Sequence, residues 1–180
     1  MNKIYIPVIL GTTREQRKSD KAARFIVDAG SEYSELETEL IDPKDFHFLG
    51  DGNDPEGKDQ KYSEITARAD GFFIVCPEYN HSFSGSLKRM LDSEFENYQH
   101  KAVAFAGTSS GQWGGVRAIE ALVLATREMG LLAISYDLHF PMVQDLFDSQ
   151  GNLLEAKYLE LTKKAWQELI WLSQLLKNAK

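Results

Sequence analysis

The stretch that decides the fold is IYIPVILGTTREQRKS, residues 4–19. Its first part, Ile4–Leu10, is apolar throughout and contains β-branched residues, which is typical of a strand covered on both faces of a parallel sheet. Gly11 ends this run, and Ser19 stands where a helix cap is expected, just before apolar residues at helical spacing. The stretch therefore predicts a buried strand, a loop and a helix, which together form the first unit of an α/β fold.

The same succession of short apolar runs and helical patterns continues along the chain. The predicted strands are Ile4–Leu10, Leu36–Ile41, Gly71–Cys76, Ala102–Ala106 and Leu131–Tyr136. The predicted helices are one that starts at Ser19 and four that cover Gln60–Asp70, Ser84–Phe95, Val116–Met129 and about Glu155 to Lys177. Strands that alternate with helices favour a parallel sheet wrapped on both faces, and right-handed crossovers leave few topologies. We therefore predict a flavodoxin-like three-layer α/β/α sandwich with a five-stranded parallel sheet of order 2-1-3-4-5.

The composition narrows the class of protein. A length of 180 residues is typical of one domain, so we predict a single domain over residues 1–180. The net charge of −7 argues against a general nucleic-acid binder, and no apolar run approaches the roughly 18 residues that span a bilayer. Because Cys76 is the one cysteine, no intramolecular disulfide and no cysteine-rich metal site can form. We expect a cytoplasmic protein that binds neither nucleic acid nor membrane and holds no metal.

Loop 1, defined as residues 11–19, combines hydroxyls with basic residues at the start of a helix. Backbone N–H groups and the helix dipole make such a turn an anion site, and Arg14 and Arg17 add charge-assisted hydrogen bonds. The loop lacks the second glycine–lysine pair of a Walker A motif and two of the three glycines of a dinucleotide fingerprint. It therefore predicts a site for a single phosphate. The alternative is a solvated basic face on which Ser19 merely caps the helix.

Two further loops follow the third and fourth predicted strands and meet loop 1 at the carboxyl edge of the sheet, where ligands bind in such folds. Loop 3, residues 77–85, carries a proline, aromatic residues and an amide, which suit the polar edge and faces of a flat ring. Loop 4, residues 107–115, has four glycines in nine residues, which permit a close approach of backbone to ligand. The alternative for loop 3 is a plain turn with an exposed aromatic residue, and the alternative for loop 4 is a flexible loop whose Trp113 packs locally.

Together the three loops resemble those of the NADPH-dependent FMN reductase family, flavodoxin-like proteins that include quinone, azo-dye and metal reductases. The residues that carry the resemblance are Gly11-Thr12-Thr13-Arg14 with Ser19, Pro77-Glu78-Tyr79-Asn80, Gly85-x-Leu87-Lys88, Gly107-x-Ser109-x-Gly111 and Gly114-Gly115-x-Arg117-Ala118. The resemblance extends from the first strand to about residue 141. It implies an enzyme that passes hydride from NADPH or NADH through FMN to a quinone, free flavin, azo compound or similar acceptor. Since the cofactor carries this chemistry, no catalytic side chain is expected.

The resemblance also implies which residues contact FMN. The phosphate would be held by Thr12, Arg14, Arg17 and Ser19. The isoalloxazine ring would be lined, chiefly through backbone, by Pro77, Glu78, Tyr79 and Asn80. The ring or the ribityl chain would be contacted from loop 4 by Ser109, Gly111, Trp113 and Gly114. A homodimer or homotetramer is implied as well, with a partner subunit near Tyr79, Phe83, Met90 and Phe95.

Three positions depart from the pattern of the family. Thr12 stands where serine is common, Ser84 stands where proline often precedes Gly85, and Arg89 stands where asparagine often follows the lysine. These differences concern the ring pocket and the subunit interface rather than the fold.

Two other functions remain compatible with the sequence. A flavodoxin-like electron carrier would hold FMN without reacting with NAD(P)H, and the acidic balance suits docking by charge. A serine hydrolase would use Ser109, which lies in a nucleophile-elbow pattern, with Asp137 and His139 in the order that such enzymes need. Against the hydrolase, the segment Gln112–Gly115 delays the helix that should follow the nucleophile directly.

Two further residues attract attention because of their chemistry. Cys76 ends a predicted buried strand, and nothing nearby in the sequence lowers the pKa of its thiol, so we expect an inert core residue. His81 lies in loop 3, where contact with substrate and simple exposure both stay open.

Overall fold

A computed structural model describes residues 3–179. The strands are β1 (Ile4–Tyr5), β2 (Val8–Leu10), β3 (Leu36–Glu37), β4 (Leu40–Ile41), β5 (Gly71–Pro77), β6 (Ala102–Thr108), β7 (Leu132–Ala133) and β8 (Leu138–Phe140). The helices are α1 (Ser19–Ser31), α2 (Gln60–Arg68), α3 (Gly85–Asp92), α4 (Val116–Glu128) and α5 (Lys157–Asn178). The predicted α/β class with a parallel sheet is confirmed.

The count of five strands is wrong, because the sheet consists of shorter segments. The strands β4-β2-β5-β6-β7 form one hydrogen-bonded parallel path, β8 also pairs with β6, and β1 pairs with β3. Pro7 separates β1 from β2, since proline has no N–H to donate to a neighbouring strand. The backbone nevertheless stays aligned with its neighbour, because Ile6 N donates to Glu37 O at 3.0 Å and Val8 N to Glu39 O at 2.9 Å.

The last predicted strand, Leu131–Tyr136, differs most from the structure. Only β7 lies inside it, and β8 begins after the predicted end. In β8, His139 is exposed between the buried Leu138 and Phe140, so this segment has an alternating pattern rather than a continuous apolar run. Because the apolar run is interrupted, the sequence pattern does not predict β8, the segment that reaches the carboxyl edge of the sheet.

The sheet separates two apolar cores. Helices α1 and α5 cover one face, where the fully buried Trp166 donates its indole N–H to Ile26 O at 2.9 Å. Helices α2, α3 and α4 cover the other face. Every residue of β5 and β6 is buried, and their carboxyl ends are in register, with Pro77 opposite Thr108. Loops 3 and 4 therefore leave the sheet side by side.

The long acidic segment 43–58 is tied down by Arg89, one of the positions that depart from the family pattern. The guanidinium donates to the carbonyls of Leu49 at 2.5 Å, Gly52 at 2.9 Å and Gly57 at 2.9 Å. An asparagine is too short to reach three carbonyls in this way, so the arginine orders a segment that it does not neighbour in sequence.

Within residues 3–179, no helix combines the length and the apolar character that crossing a membrane requires.

Candidate active site

A cavity of about 330 Å³ lies at the carboxyl edge of the sheet, between loops 1, 3 and 4. Seven of the twelve residues predicted from the sequence line it: Arg14, Arg17, Ser19, Pro77, Glu78, Tyr79 and Ser109. The remaining lining residues are Gln16, Lys18, Thr108, Ser110, Val143 and Gln144. The first four of these lie in or beside the predicted loops. Val143 and Gln144 follow β8, a strand that the apolar pattern of the sequence does not predict.

Arg17 is held in the wall of this cavity by two anchors. One guanidinium nitrogen forms an ion pair with Asp42, and the other donates to the carbonyl of Thr12 at 2.7 Å. Both ionic side chains are largely buried, at 13% and 18% exposure. The second oxygen of Asp42 accepts from Lys44 N at 3.0 Å, which fixes the carboxylate itself. Because a guanidinium has five N–H groups, further donors remain for an anion in the cavity.

The start of α1 is open to the same cavity. Ser19 is the first residue of α1 and not its cap, because Lys18 occupies the cap position and none of the described side chains caps the helix. The interpretation of Ser19 as a helix cap is therefore wrong. Ser19 is buried and lines the cavity, while Arg14 and Lys18 line it from the exposed side. The first N–H groups of a 13-residue helix and the nearby cations make this end of the cavity suitable for an anion.

Loop 3 contains a tight turn, and this turn gives Asn80 a role other than the predicted contact with a ring. Tyr79 N donates to Ser82 O at 2.8 Å, and Ser82 N returns a hydrogen bond to Tyr79 O at 3.0 Å. Between them, Asn80 and His81 both have positive φ values, 51° and 64°. Asparagine tolerates this backbone conformation well. Asn80 is exposed and does not line the cavity, so the structure gives it a turn-forming role rather than a place in the wall.

Glu78 joins the two ring-side loops. Its N–H donates to Thr108 O at 2.9 Å, and its Oε1 accepts from Arg117 at 3.1 Å. Its Oε2 is buried and has no hydrogen-bond partner in the described part of the chain, residues 3–179. Arg117 also lies over the ring of Trp113, 5.2 Å from its centroid, and Trp113 itself is 63% exposed. Trp113 thus lies outside the cavity wall, on the surface beside Arg117.

The hydroxyl of Ser109 is used within loop 4. It donates to Gly111 O at 2.8 Å and accepts from Gly114 N at 2.9 Å. Neither partner is a base, whereas a nucleophilic serine needs one within hydrogen-bond reach. Asp137 is half-buried, and burial raises the pKa of its carboxyl. The two backbone partners of the Ser109 hydroxyl favour a loop-shaping role for Ser109 over the hydrolase alternative.

Cys76 has the environment expected of a core residue. The thiol is buried, and burial raises its pKa, with a smaller contribution from the charge of Glu78. A thiol that stays protonated is a poor nucleophile. His81, by contrast, is exposed in the turn of loop 3 and does not line the cavity.

We expect the Cys76 thiol to resist Ellman's reagent in the native protein and to react fully once the chain is unfolded in urea. The single cysteine makes the signal unambiguous. Stoichiometric labelling of the native protein at a rate near that of free cysteine would contradict the burial of Cys76.

A second, larger depression of about 670 Å³ lies away from these loops, beside α2 and residues 94–97. Its buried carboxylate, Glu94, accepts hydrogen bonds from Lys58 at 3.1 Å, from Asn97 at 3.1 Å and from Ser63. Because this charge is already compensated and no loop from the carboxyl edge lines the depression, it is not the candidate active site.

The fold is that of flavodoxin-like flavoenzymes. A solved flavoenzyme NAD(P)H:acceptor oxidoreductase from Paracoccus denitrificans has a similar fold, with a TM-score of 0.78 at 18% identity over 95% of this chain and 97% of that one. The model of the NADPH-dependent FMN reductase family matches residues 4–144. The chain therefore belongs to this family, as the resemblance of its loops predicted.

Two curated relatives are similar in sequence over part of their length. An NAD(P)H-dependent FMN reductase from Pseudomonas aeruginosa is 31% identical over 126 residues, which are 64% of this chain and 66% of that protein. A probable NADPH:quinone oxidoreductase from rice, Oryza sativa subsp. japonica, is 31% identical over 117 residues, 58% of this chain and 56% of that protein. The matched regions thus span about two thirds or less of these relatives.

Proposed function

We propose that this chain is an FMN-dependent oxidoreductase that transfers electrons from NADPH or NADH to a small-molecule acceptor such as a quinone, free flavin or azo compound. The position of Arg17 carries the proposal. Its guanidinium, held by Asp42 and the Thr12 carbonyl, lines a cavity whose other walls come from loops 3 and 4 and from residues 143–144. The volume of about 330 Å³ falls within the range of small-molecule sites, roughly 300–1,000 Å³.

The residues present fit FMN by their chemistry. Arg17, Arg14 and Ser19, with the open start of α1, would hold the phosphate, since they combine cations with free N–H donors. The ring would lie against Pro77–Tyr79 and Ser109, with Gly111 leaving room on loop 4. Gly114 leaves no such room, because a Cβ there would lie 2.9 Å from His139 Cβ. When bound, FMN supplies two-electron chemistry between the nicotinamide and the acceptor. The protein binds and orients the flavin and needs no acid or base for hydride transfer.

Anaerobic mixing of the FMN-loaded protein with NADPH or NADH separates this enzyme from an electron carrier. We expect rapid loss of the oxidised flavin absorbance, and its recovery when a quinone is added in a second step. A flavin that stays oxidised with both nicotinamides for minutes, yet is reduced by dithionite, would contradict the reductase and support the carrier. A fluorophosphonate probe that labels wild-type protein but not Ser109→Ala would instead support the hydrolase.

We also propose that the protein is a cytoplasmic homodimer or homotetramer whose subunits meet along the α4 side of the fold. Exposed apolar side chains on this side support the proposal: Trp113, Val116 and Leu124. Met90, which the resemblance implied near a partner, is fully buried and cannot contact one, so that expectation is wrong. Phe95 is 38% exposed and stays a candidate contact. Sedimentation equilibrium tests the assembly, and a Leu124→Glu variant should shift it towards monomer.

The single domain over residues 1–180 is likewise a proposal. Two observations support it: a single six-stranded sheet contains β2 and β4 to β8, and α5 packs against α1 in the core on one face of that sheet.

A further inference from the structure

The hydroxyl of Tyr79 does not point to solvent but forms a hydrogen bond across two loops. It lies 2.9 Å from Oγ1 of Thr12, a residue 67 positions earlier in the chain. Tyr79 lines the ring side of the cavity in loop 3, whereas Thr12 belongs to loop 1. This is a side-chain link between the part of the site that would face a flavin ring and the part that would face its phosphate.

Thr12 is the residue on which the two arginines of loop 1 converge. Its Oγ1 accepts from the backbone N–H of Arg14 at 3.1 Å, and its carbonyl accepts from the guanidinium of Arg17 at 2.7 Å. Thr12 is only 1% exposed and does not line the cavity. It therefore acts on a ligand through the arginines it holds rather than by touching the ligand.

The hydrogen-bonding capacity of the Thr12 hydroxyl indicates what the hydroxyl of Tyr79 contributes. A threonine oxygen offers two lone pairs and one proton, and Arg14 N–H takes one lone pair. Tyr79 either donates to the second lone pair or accepts the proton of Thr12, and both arrangements use a position that no other group within residues 3–179 fills. Removing the hydroxyl leaves a nearly buried Thr12 oxygen with one bond fewer, which loosens the turn that positions Arg14 and Arg17.

We infer that Tyr79 is a positioning residue which, through Thr12, aligns loop 1 with the ring wall and thereby makes the site select flavins that carry a 5′-phosphate over unphosphorylated flavin. The inference rests on the proposed function, because it assumes that flavin binds in this cavity. The aromatic ring of Tyr79 and its hydroxyl then have separate roles, so the conservative change Tyr79→Phe keeps the wall and removes only the link to loop 1.

The test compares the dissociation constants of FMN and riboflavin for flavin-free wild-type protein and for Tyr79→Phe, by quenching of flavin fluorescence. We expect FMN binding to weaken about fivefold, the value of one ordinary hydrogen bond, while riboflavin binding changes by less than about twofold. Thr12→Val, which keeps the shape of the side chain but also removes the acceptor of the Arg14 N–H, should weaken FMN binding at least as much, and adding Tyr79→Phe to it should cause no further loss. Tyr33→Phe, whose hydroxyl lies near Lys163 O far from the loops, serves as the matched control and should change neither constant.

The possible results distinguish a positioning role of Tyr79 from a merely structural one. Equal weakening for FMN and riboflavin would show a merely structural tyrosine and overturn the inference. Unchanged FMN affinity in Tyr79→Phe, or losses that add in the double variant, would overturn it as well. If wild-type protein binds neither flavin, the proposed function itself fails. If wild-type protein binds FMN but the variants leave the ratio of FMN to riboflavin affinity unchanged, the inference about Tyr79 fails and the proposed function stands.

Discussion

Replacing Arg17 with alanine is expected to weaken FMN binding roughly 100-fold, about 2.8 kcal/mol. Charge-assisted hydrogen bonds to an anion are worth more than neutral ones, and the change removes them from the wall of the cavity. It also leaves Asp42, which is only 18% exposed, without its cation and close to the anion end of the site. The loss of attraction and the new repulsion act in the same direction, so the effect exceeds that of one hydrogen bond.

Two further variants separate these contributions, with isothermal titration calorimetry as the measurement. Arg24→Ala removes an exposed arginine of α1 that does not line the cavity, and it should leave FMN affinity unchanged. The double variant Arg17→Ala with Asp42→Ala should recover part of the lost affinity, because the unpaired carboxylate is gone. An Arg17→Ala protein that binds FMN as tightly as Arg24→Ala would show that the ion pair with Asp42 is structural only.

Gly115→Ala is expected to lower the free energy of unfolding by about 3 kcal/mol, through overpacking and backbone strain. A Cβ at this position would lie 2.6 Å from both Gly107 Cα and Thr108 N, so backbone would have to move. Its φ of 82° is also unfavourable for alanine. These contacts hold the end of loop 4 against the end of β6, so the same change should distort the wall that contains Ser109.

Gly111→Ala is the matched control, with urea unfolding of the flavin-free protein as the measurement. A Cβ there meets no atom within 4 Å, and the residue has no positive φ. We expect its unfolding free energy to stay within about 0.5 kcal/mol of wild type, as for an ordinary surface change. Equal stability of Gly115→Ala and Gly111→Ala would contradict the described packing of loop 4. A loss of FMN affinity in Gly111→Ala without a loss of stability would support the proposed contact of Gly111 with flavin.

The sequence predicted the parts of the fold that depend on local pattern. The strands β5 and β6 were predicted correctly because every residue in them is buried, which produces an uninterrupted apolar run. The break at Pro7 and the alternating Leu138–Phe140 segment interrupt such runs, and there the strand count and the last strand were wrong. The apolar pattern of a segment indicates that the segment is buried. It does not indicate into how many hydrogen-bonded strands the segment divides.

The residues of the candidate site likewise divide into those that could be predicted from the sequence and those that could not. Residues that line the cavity because they end a strand, such as Pro77, or directly follow one, such as Ser109, could be predicted from the loop positions. The partners that fix the site could not, since the bond of Arg17 to Asp42 spans 25 residues and that of Thr12 to Tyr79 spans 67. Trp113, prominent in sequence, lies outside the cavity because its ring contacts Arg117 on the surface. Distances of this kind are set by the packing of the whole sheet.

The most direct test of the account is an equilibrium titration of flavin-free protein with FMN and, in parallel, with riboflavin. We expect one FMN per chain and an affinity for FMN at least roughly 100-fold above that for riboflavin, because the phosphate end is built from Arg17 and the start of α1. Absence of saturable FMN binding, or equal affinity for the two flavins, would contradict it.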